Sequence, residues 1–361
     1  MLPEIRVPVQ DQSALGKKGF FFVGGGYKGQ EGKHFYSGQM FVEVSVPKEI
    51  QHPYPLIFFH GAGQTNLNWL GTPDGRKGWA DYFLEQGYVF YLAEQPARGR
   101  SAYHPEVDGP RRYHTVEDIE GRFAGTSGKW RTASAHTQWP ENASKIGMPD
   151  FDQFAAAQVE FVADATYTQS QVFAASKALL EKTGPAILVT HSQAGPFGWK
   201  IGDAYPDMVK GIIALEPAGP AFSSNTDALK AENYGLCQLP LNYDPPVQSP
   251  ADFVLARISS ENPEEIDGLI MAEGHVHKLP GLSRVPVLLL TAEASYHTMY
   301  DYVTAKVLEQ CGVNVDFVRL ERHGFHGNSH FMMLEKNSLE KANAEIMDKL
   351  YSLLDGKYED G

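Results

Sequence analysis

Short, unbroken apolar runs recur along this chain. Leu56-Ile57-Phe58-Phe59, Tyr88-Val89-Phe90-Tyr91-Leu92, Ala186-Ile187-Leu188-Val189, Ile212-Ile213-Ala214-Leu215 and Val287-Leu288-Leu289-Leu290 carry no charged residue between them. Such runs suit strands buried on both faces of a sheet. Before them, Gly19 to Val23 and Met40 to Val46 read as β, the second with apolar and polar residues alternating. Trp79 to Gln86 reads as a helix closed by Gly87, Val315 to Leu320 as a last strand, and Phe331 to Leu354 as a long amphipathic helix. A β-rich start followed by βα alternation predicts an α/β fold, with a mostly parallel central sheet flanked by helices.

Two long excursions interrupt the alternation, over approximately 102–162 and 218–284. The first is rich in Gly, Trp, His and Arg, the second in Pro and acidic residues. Both leave from the carboxyl ends of strands, where ligands bind in open α/β sheets. Structureless loops of this length are uncommon inside compact domains. The chain therefore reads as a single domain, 1–361, in which these excursions form a cap or lid.

Composition narrows the classes. With 361 residues, 42% hydrophobic and 21% charged, the chain can bury a large core. A formal net charge of -13 argues against nucleic acid or an anionic membrane as partner. No apolar run has the length of a membrane span, and Met1 to Arg6 lacks a secretory signal pattern. The expected location is cytoplasmic, or secreted if a leader has been removed; a homodimer is compatible with the sequence. Cys237 and Cys311 have no metal or redox spacing and are expected as buried free thiols, with a disulfide as the alternative.

The chemistry concentrates in Thr190-His191-Ser192-Gln193-Ala194-Gly195, directly after an apolar run. A serine pinned between a buried strand and a helix, with small residues on either side, has the pattern of a nucleophile elbow, with Thr190 and Ala194 at the usual glycine positions. Acyl transfer through Ser192 also needs oxyanion donors, a base, and an acid to orient the base. His60-Gly61-Ala62-Gly63-Gln64 follows a buried strand and offers the Ala62 N–H; the Gln193 N–H follows the nucleophile. His323, His326 and His330 share the loop after the last strand. His330, against the expected terminal helix, is the preferred base, with His326 as runner-up. Glu216 and Glu293 both end buried strands, and either could orient the base. Trp69, Phe123, Trp139 and Phe154 are candidate aromatic walls for substrate.

Further segments carry a resemblance. Pro55 to Gly61, Thr72 to Trp79, Gln95 to Ser101, His191-Ser192-Gln193, Leu215-Glu216-Pro217 and Gly327-Asn328-Ser329-His330 together resemble a small bacterial and fungal branch of the α/β-hydrolase serine esterases. The resemblance covers the hydrolase core and not the excursion after Ala218. It implies an α/β-hydrolase fold and a triad of Ser192, His330 and Glu216, the acid following strand six. It also puts the Ala62 and Gln193 N–H groups at the oxyanion donors. The expected activity is hydrolysis of a carboxylic ester or lactone of a small molecule, with no cofactor and no metal. The same scaffold also serves C–C cleavage, lyase, isomerase or cyclisation steps of secondary metabolism. A non-catalytic binding protein is the third alternative.

Overall fold

The apolar runs become the inner strands of one eight-stranded sheet in the computed structural model of the chain, which describes residues 7–125, 129–222 and 232–339. Its strands are β1 (Leu15–Gln30), β2 (Lys33–Pro47), β3 (Leu56–Phe59), β4 (Phe90–Glu94), β5 (Ala186–His191), β6 (Val209–Leu215), β7 (Val287–Thr291) and β8 (Val315–Arg319). Their spatial order is β1-β2-β4-β3-β5-β6-β7-β8. β1 pairs antiparallel with β2 and β2 with β4; every later pairing is parallel. All residues of β3, β5 and β7 are buried, as strands with helices on both faces require.

Four helices matter for the site: α1 (Trp79–Glu85), α2 (Ala165–Thr183), α3 (Gly195–Ala204) and α4 (Asp301–Gln310). Helix α2 starts on Asp164, whose side chain accepts the Tyr167 N–H, and ends at Gly184 with φ 75°. It buries Val172, Ala175, Leu179 and Leu180, a helical stripe that packs on β1 and β2. Two apolar clusters fill the two faces of the sheet. None of the helices among the described residues is long and apolar enough to cross a membrane. Cys237 and Cys311 are buried free thiols.

The excursions take different positions. The first lies across the loops at the carboxyl ends of the strands. Val159 N–H bonds Gly63 O, Trp130 Nε1 bonds Ala294 O, and the Thr137 and Gln138 N–H groups bond Gly327 O. The described part of the second packs mainly on the helical layer. Leu236, Cys237, Leu241, Tyr243 and Leu282 join the cluster of α2 and α3, and Lys200 and Asp203 of α3 bond Pro240 O and Asn242 N–H. Its apolar side chains are used largely against helices, while residues 263–266 reach the strand ends: Glu265 pairs with Arg319 at the end of β8, Ile266 N–H bonds Met299 O, and Arg131 bonds Pro263 O; residues 223–231 lie outside the described residues.

The terminal helix expected from Phe331 does not start there. Met332–Leu334 forms a single 3-10 turn, followed by further turns to Leu339. Buried Glu335 explains the irregular start: it turns inward to accept Ser329 N–H at 2.8 Å, Asn328 Nδ2 at 2.5 Å and His136 Nε2 at 2.8 Å. The rest of that expectation, from residue 340, lies outside the described residues.

Candidate active site

Ser192 sits in the turn between β5 and α3 with φ 53°, a left-handed conformation that non-glycine residues rarely adopt. The turn is tight because its neighbours are close. A Cβ on Gly195 would lie 2.3 Å from Pro217 Cβ and 2.8 Å from its Cα. The close approach that the elbow pattern assigns to position 194 is thus taken at Gly195, and Ala194 fits as a buried methyl. Gly195→Ala is expected to lower stability by about 1–3 kcal/mol through overpacking, read as a fall in Tm; an unchanged Tm would show that the turn can spread.

The loop after β3 meets this turn. A Cβ on Gly61 would lie 3.0 Å from Ser192 Cβ and 2.9 Å from His191 Nδ1, so only glycine lets the two backbones approach. Arg98, 3% exposed, holds the loop from beneath. Its guanidinium donates to Gln64 O at 3.0 Å, to Gly61 O at 3.4 Å and to Gln193 Oε1 at 3.4 Å. Burial and the nearby Arg111 and Arg112 charges pull it down to about 9, so it stays cationic at neutral pH. One buried cation thereby ties together both segments that carry the expected oxyanion donors, Ala62 and Gln193. Nothing in Gln95 to Ser101 reveals in sequence which carbonyls Arg98 reaches.

His330 and Glu216 meet across the sheet end. Nδ1 of His330 is 2.6 Å from Glu216 Oε2, and both side chains are buried. Glu216 follows β6 directly, with φ 44°. Its Oε1 accepts Ala292 N–H at 2.9 Å, and its Oε2 also accepts the Ser295 hydroxyl at 2.6 Å. Burial pushes its carboxyl above the usual range, while the His297 charge, Ser295 and Ala292 pull it back. His330 is driven well below the usual imidazole range, first by burial and then by the charges of His297, Arg122 and His114. A neutral His330 donates Nδ1–H to Glu216 and presents a lone pair at Nε2. There it meets the Tyr296 hydroxyl at 3.3 Å; among the described residues Ser192 Oγ makes no hydrogen bond to it. His191 Nε2 is 2.9 Å from His330 O, and its neutral ring, held so by burial, donates there and fixes the backbone of His330.

The other candidates pair among themselves. His326 Nδ1 lies 3.1 Å from Glu293 Oε1 on an exposed loop, and Gly327 N–H bonds Glu293 Oε2 at 2.8 Å. His323 is exposed at the end of a 3-10 turn. Of the aromatic walls, Phe123 stacks on His330 with centroids 5.5 Å apart. Trp139 packs on Phe154, and Phe154 on Phe331 beside the base. Phe154 also lines a cleft of about 710 Å³ together with Gln64, Asn68 and Gln153. Trp69 is fully buried between Phe58 and Trp79, a core residue where a wall was expected. Ser295, Tyr296 and His297 went unnoticed in the sequence, although they directly follow the strand that ends near Glu293.

Among known proteins, the chain is 43% identical over 332 residues to the probable secreted lipase phiG of Fungal sp. (strain ATCC 74256), an alignment spanning 91% of this chain and 88% of that protein. A solved structure described as a novel bacterial esterase superposes with a TM-score of 0.66 at 20% identity, covering 97% of this chain and all of the other. No family model matches the chain.

Proposed function

Because this chain belongs to the α/β-hydrolase family of the lipase phiG, we propose that it is a serine hydrolase of carboxylic esters working through an acyl-enzyme on Ser192. The observation that carries the reading is the buried 2.6 Å bond between His330 Nδ1 and Glu216, which turns the Nε2 lone pair, now facing the Tyr296 hydroxyl, toward the role of a base. His330 Nε2 takes the Ser192 proton as Oγ attacks the ester carbonyl. The negative charge that develops on the carbonyl oxygen falls to the Ala62 and Gln193 N–H groups, with the Arg98 cation behind them. His330 then gives its proton to the departing alkoxide. A water, deprotonated by the same Nε2, releases the acid. Glu216 stabilises the imidazolium at both steps.

Phe123, Trp139 and Phe154 suit the apolar part of a small-molecule ester or lactone, and the first excursion, lying over the strand ends, serves as the cap. The relative's name makes secretion the location to test, in place of the cytoplasmic reading. Two measurements test the function. A fluorophosphonate should label the wild-type protein on Ser192, and acyl esters of graded chain length, run beside lactones, should be hydrolysed by the labelled-sensitive species. A protein that neither labels nor turns over any ester is not a serine esterase.

A further inference from the structure

A second imidazole–carboxylate pair lies behind the first. His297 Nδ1 is 2.9 Å from Asp301 Oδ1, and Asp301 Oδ2 accepts the Thr291 hydroxyl at 2.6 Å. The His297 ring lies flat against that of His330, with centroids 4.8 Å apart and planes 8° apart. One nitrogen or carboxylate oxygen from each of Glu216, His297 and His330 falls within 4.8 Å of the others. All four side chains are withdrawn from solvent: His297 is 2% exposed and Asp301 and Glu216 0%.

We propose that His297 and Asp301 are a second buried tier of the catalytic apparatus, a positioning pair whose cationic imidazole, stacked on the His330 ring, lowers the basicity of His330. The proposal rests on the serine-hydrolase reading for what His330 does, but the charge arrangement does not depend on it. Burial and, more weakly, the Glu216 charge push the Asp301 carboxyl up, and two buried carboxylates that feel each other resist joint ionisation unless a cation stands between them. His297 is placed to be that cation. Burial opposes its charged form, and Asp301 and Glu216 outweigh burial, so its imidazole is raised. The other groups facing the tier are His330 from the loop after β8, His191 from the end of β5, Tyr296 beside it in chain, Tyr300 packed on the His297 ring, and Arg122 from the first excursion.

The consequence for His330 has a definite sign. A cation stacked on its ring disfavours a second one, so His330 holds its proton less tightly. Nε2 therefore stays unprotonated, and able to accept the Ser192 proton, further into acid than a lone Glu–His pair would allow. Asp301 lies behind His297, so removing either member removes the nearer cation and lets the His330 pKa rise.

Nitrogen-15 histidine NMR on the intact wild-type protein at pH 7 tests the charge directly. His297 is expected to carry protons on both ring nitrogens and His330 on Nδ1 alone. In His297→Gln and Asp301→Asn, the acidic limb of kcat/KM should move up by roughly one pH unit, with KM for a neutral ester little changed. The double variant should move it no further than either single one, because the pair acts as a unit. A purely structural role would lower Tm and leave the limb in place. A neutral His297 in the wild type overturns the proposal, as does an unmoved limb in variants that fold and still label with fluorophosphonate. If neither variant folds, the NMR result decides. Failure of the hydrolase reading would show separately, as absent labelling of Ser192 whatever the state of His297.

Discussion

Ser192→Ala is expected to remove ester turnover while leaving the fold in place. Losing the serine of such a set costs on the order of 10⁶ in kcat, because the covalent route closes and only binding and oxyanion stabilisation are left. The substitution deletes one oxygen from a half-buried side chain, and the elbow is held by contacts that the oxygen does not make. Those contacts are Gly195 against Pro217, Gly61 against the Ser192 Cβ, and the Ala218 N–H bond to Ser192 O at 2.8 Å. The Cβ at φ 53° is present in both residues, so the backbone strain is the same. The Tm should accordingly change little while kcat collapses. A variant that keeps wild-type kcat on any ester it hydrolyses would mean that another group is the nucleophile.

How much of this was legible in the sequence follows from the range of each interaction. The inner strands were legible because burial on both faces leaves a local mark, an unbroken apolar run; β4 was placed two residues early, since Tyr88 and Val89 extend the run before the strand begins, and the outer strands β1 and β2 were read shorter than Leu15–Gln30 and Lys33–Pro47. The elbow and the loop after β3 were legible because a buried strand followed at once by small residues leaves a local pattern, although the contacts that demand it, Gly61 on Ser192 and Gly195 on Pro217, lie far apart in sequence. The second tier was not. Its members come from the turn after β7 and the start of α4, and meet Glu216 and His330 only once β6, β7 and β8 lie side by side. A lone His-x-x-x-Asp in sequence carries no sign of that. The expected helix start at Phe331 failed for a related reason. The apolar spacing of Phe331 to Leu334 suits a helix, but Glu335 is used instead to brace the loop of His330, a demand that periodicity cannot register. The choice between Glu216 and Glu293 was balanced on local grounds, since both end buried strands. The resemblance to the esterase branch chose Glu216, and the structure separates the two by distance, with Glu216 on His330 and Glu293 on His326.

That separation makes the carboxylates the sharpest contrast in the molecule. Glu216→Gln is expected to cut kcat by about 10⁴, the cost of losing the orienting acid in a serine triad. Both oxygens of Glu216 face donors: Ala292 N–H at Oε1, the Ser295 hydroxyl and His330 Nδ1–H at Oε2. An amide has one acceptor oxygen, so its NH2 must point at a donor or force that donor to turn. The Ala292 N–H is fixed by the backbone and claims the oxygen. The NH2 then faces His330, which must present Nδ1 as an acceptor and carry its proton on Nε2. That tautomer cannot take the Ser192 proton, and the imidazolium would in any case lack its counter-charge. Shape and packing change little, so the variant should fold. Glu293→Gln should behave differently. It touches exposed His326 and the Gly327 N–H, so it loosens one loop contact and should alter kcat by no more than a few-fold, in line with surface pairs of small energetic weight. Steady-state kinetics on one soluble ester, with Tm for each variant, separates the two. Equal losses, or a larger one at Glu293, would show that the acid follows strand seven and that the buried bond to Glu216 is structural.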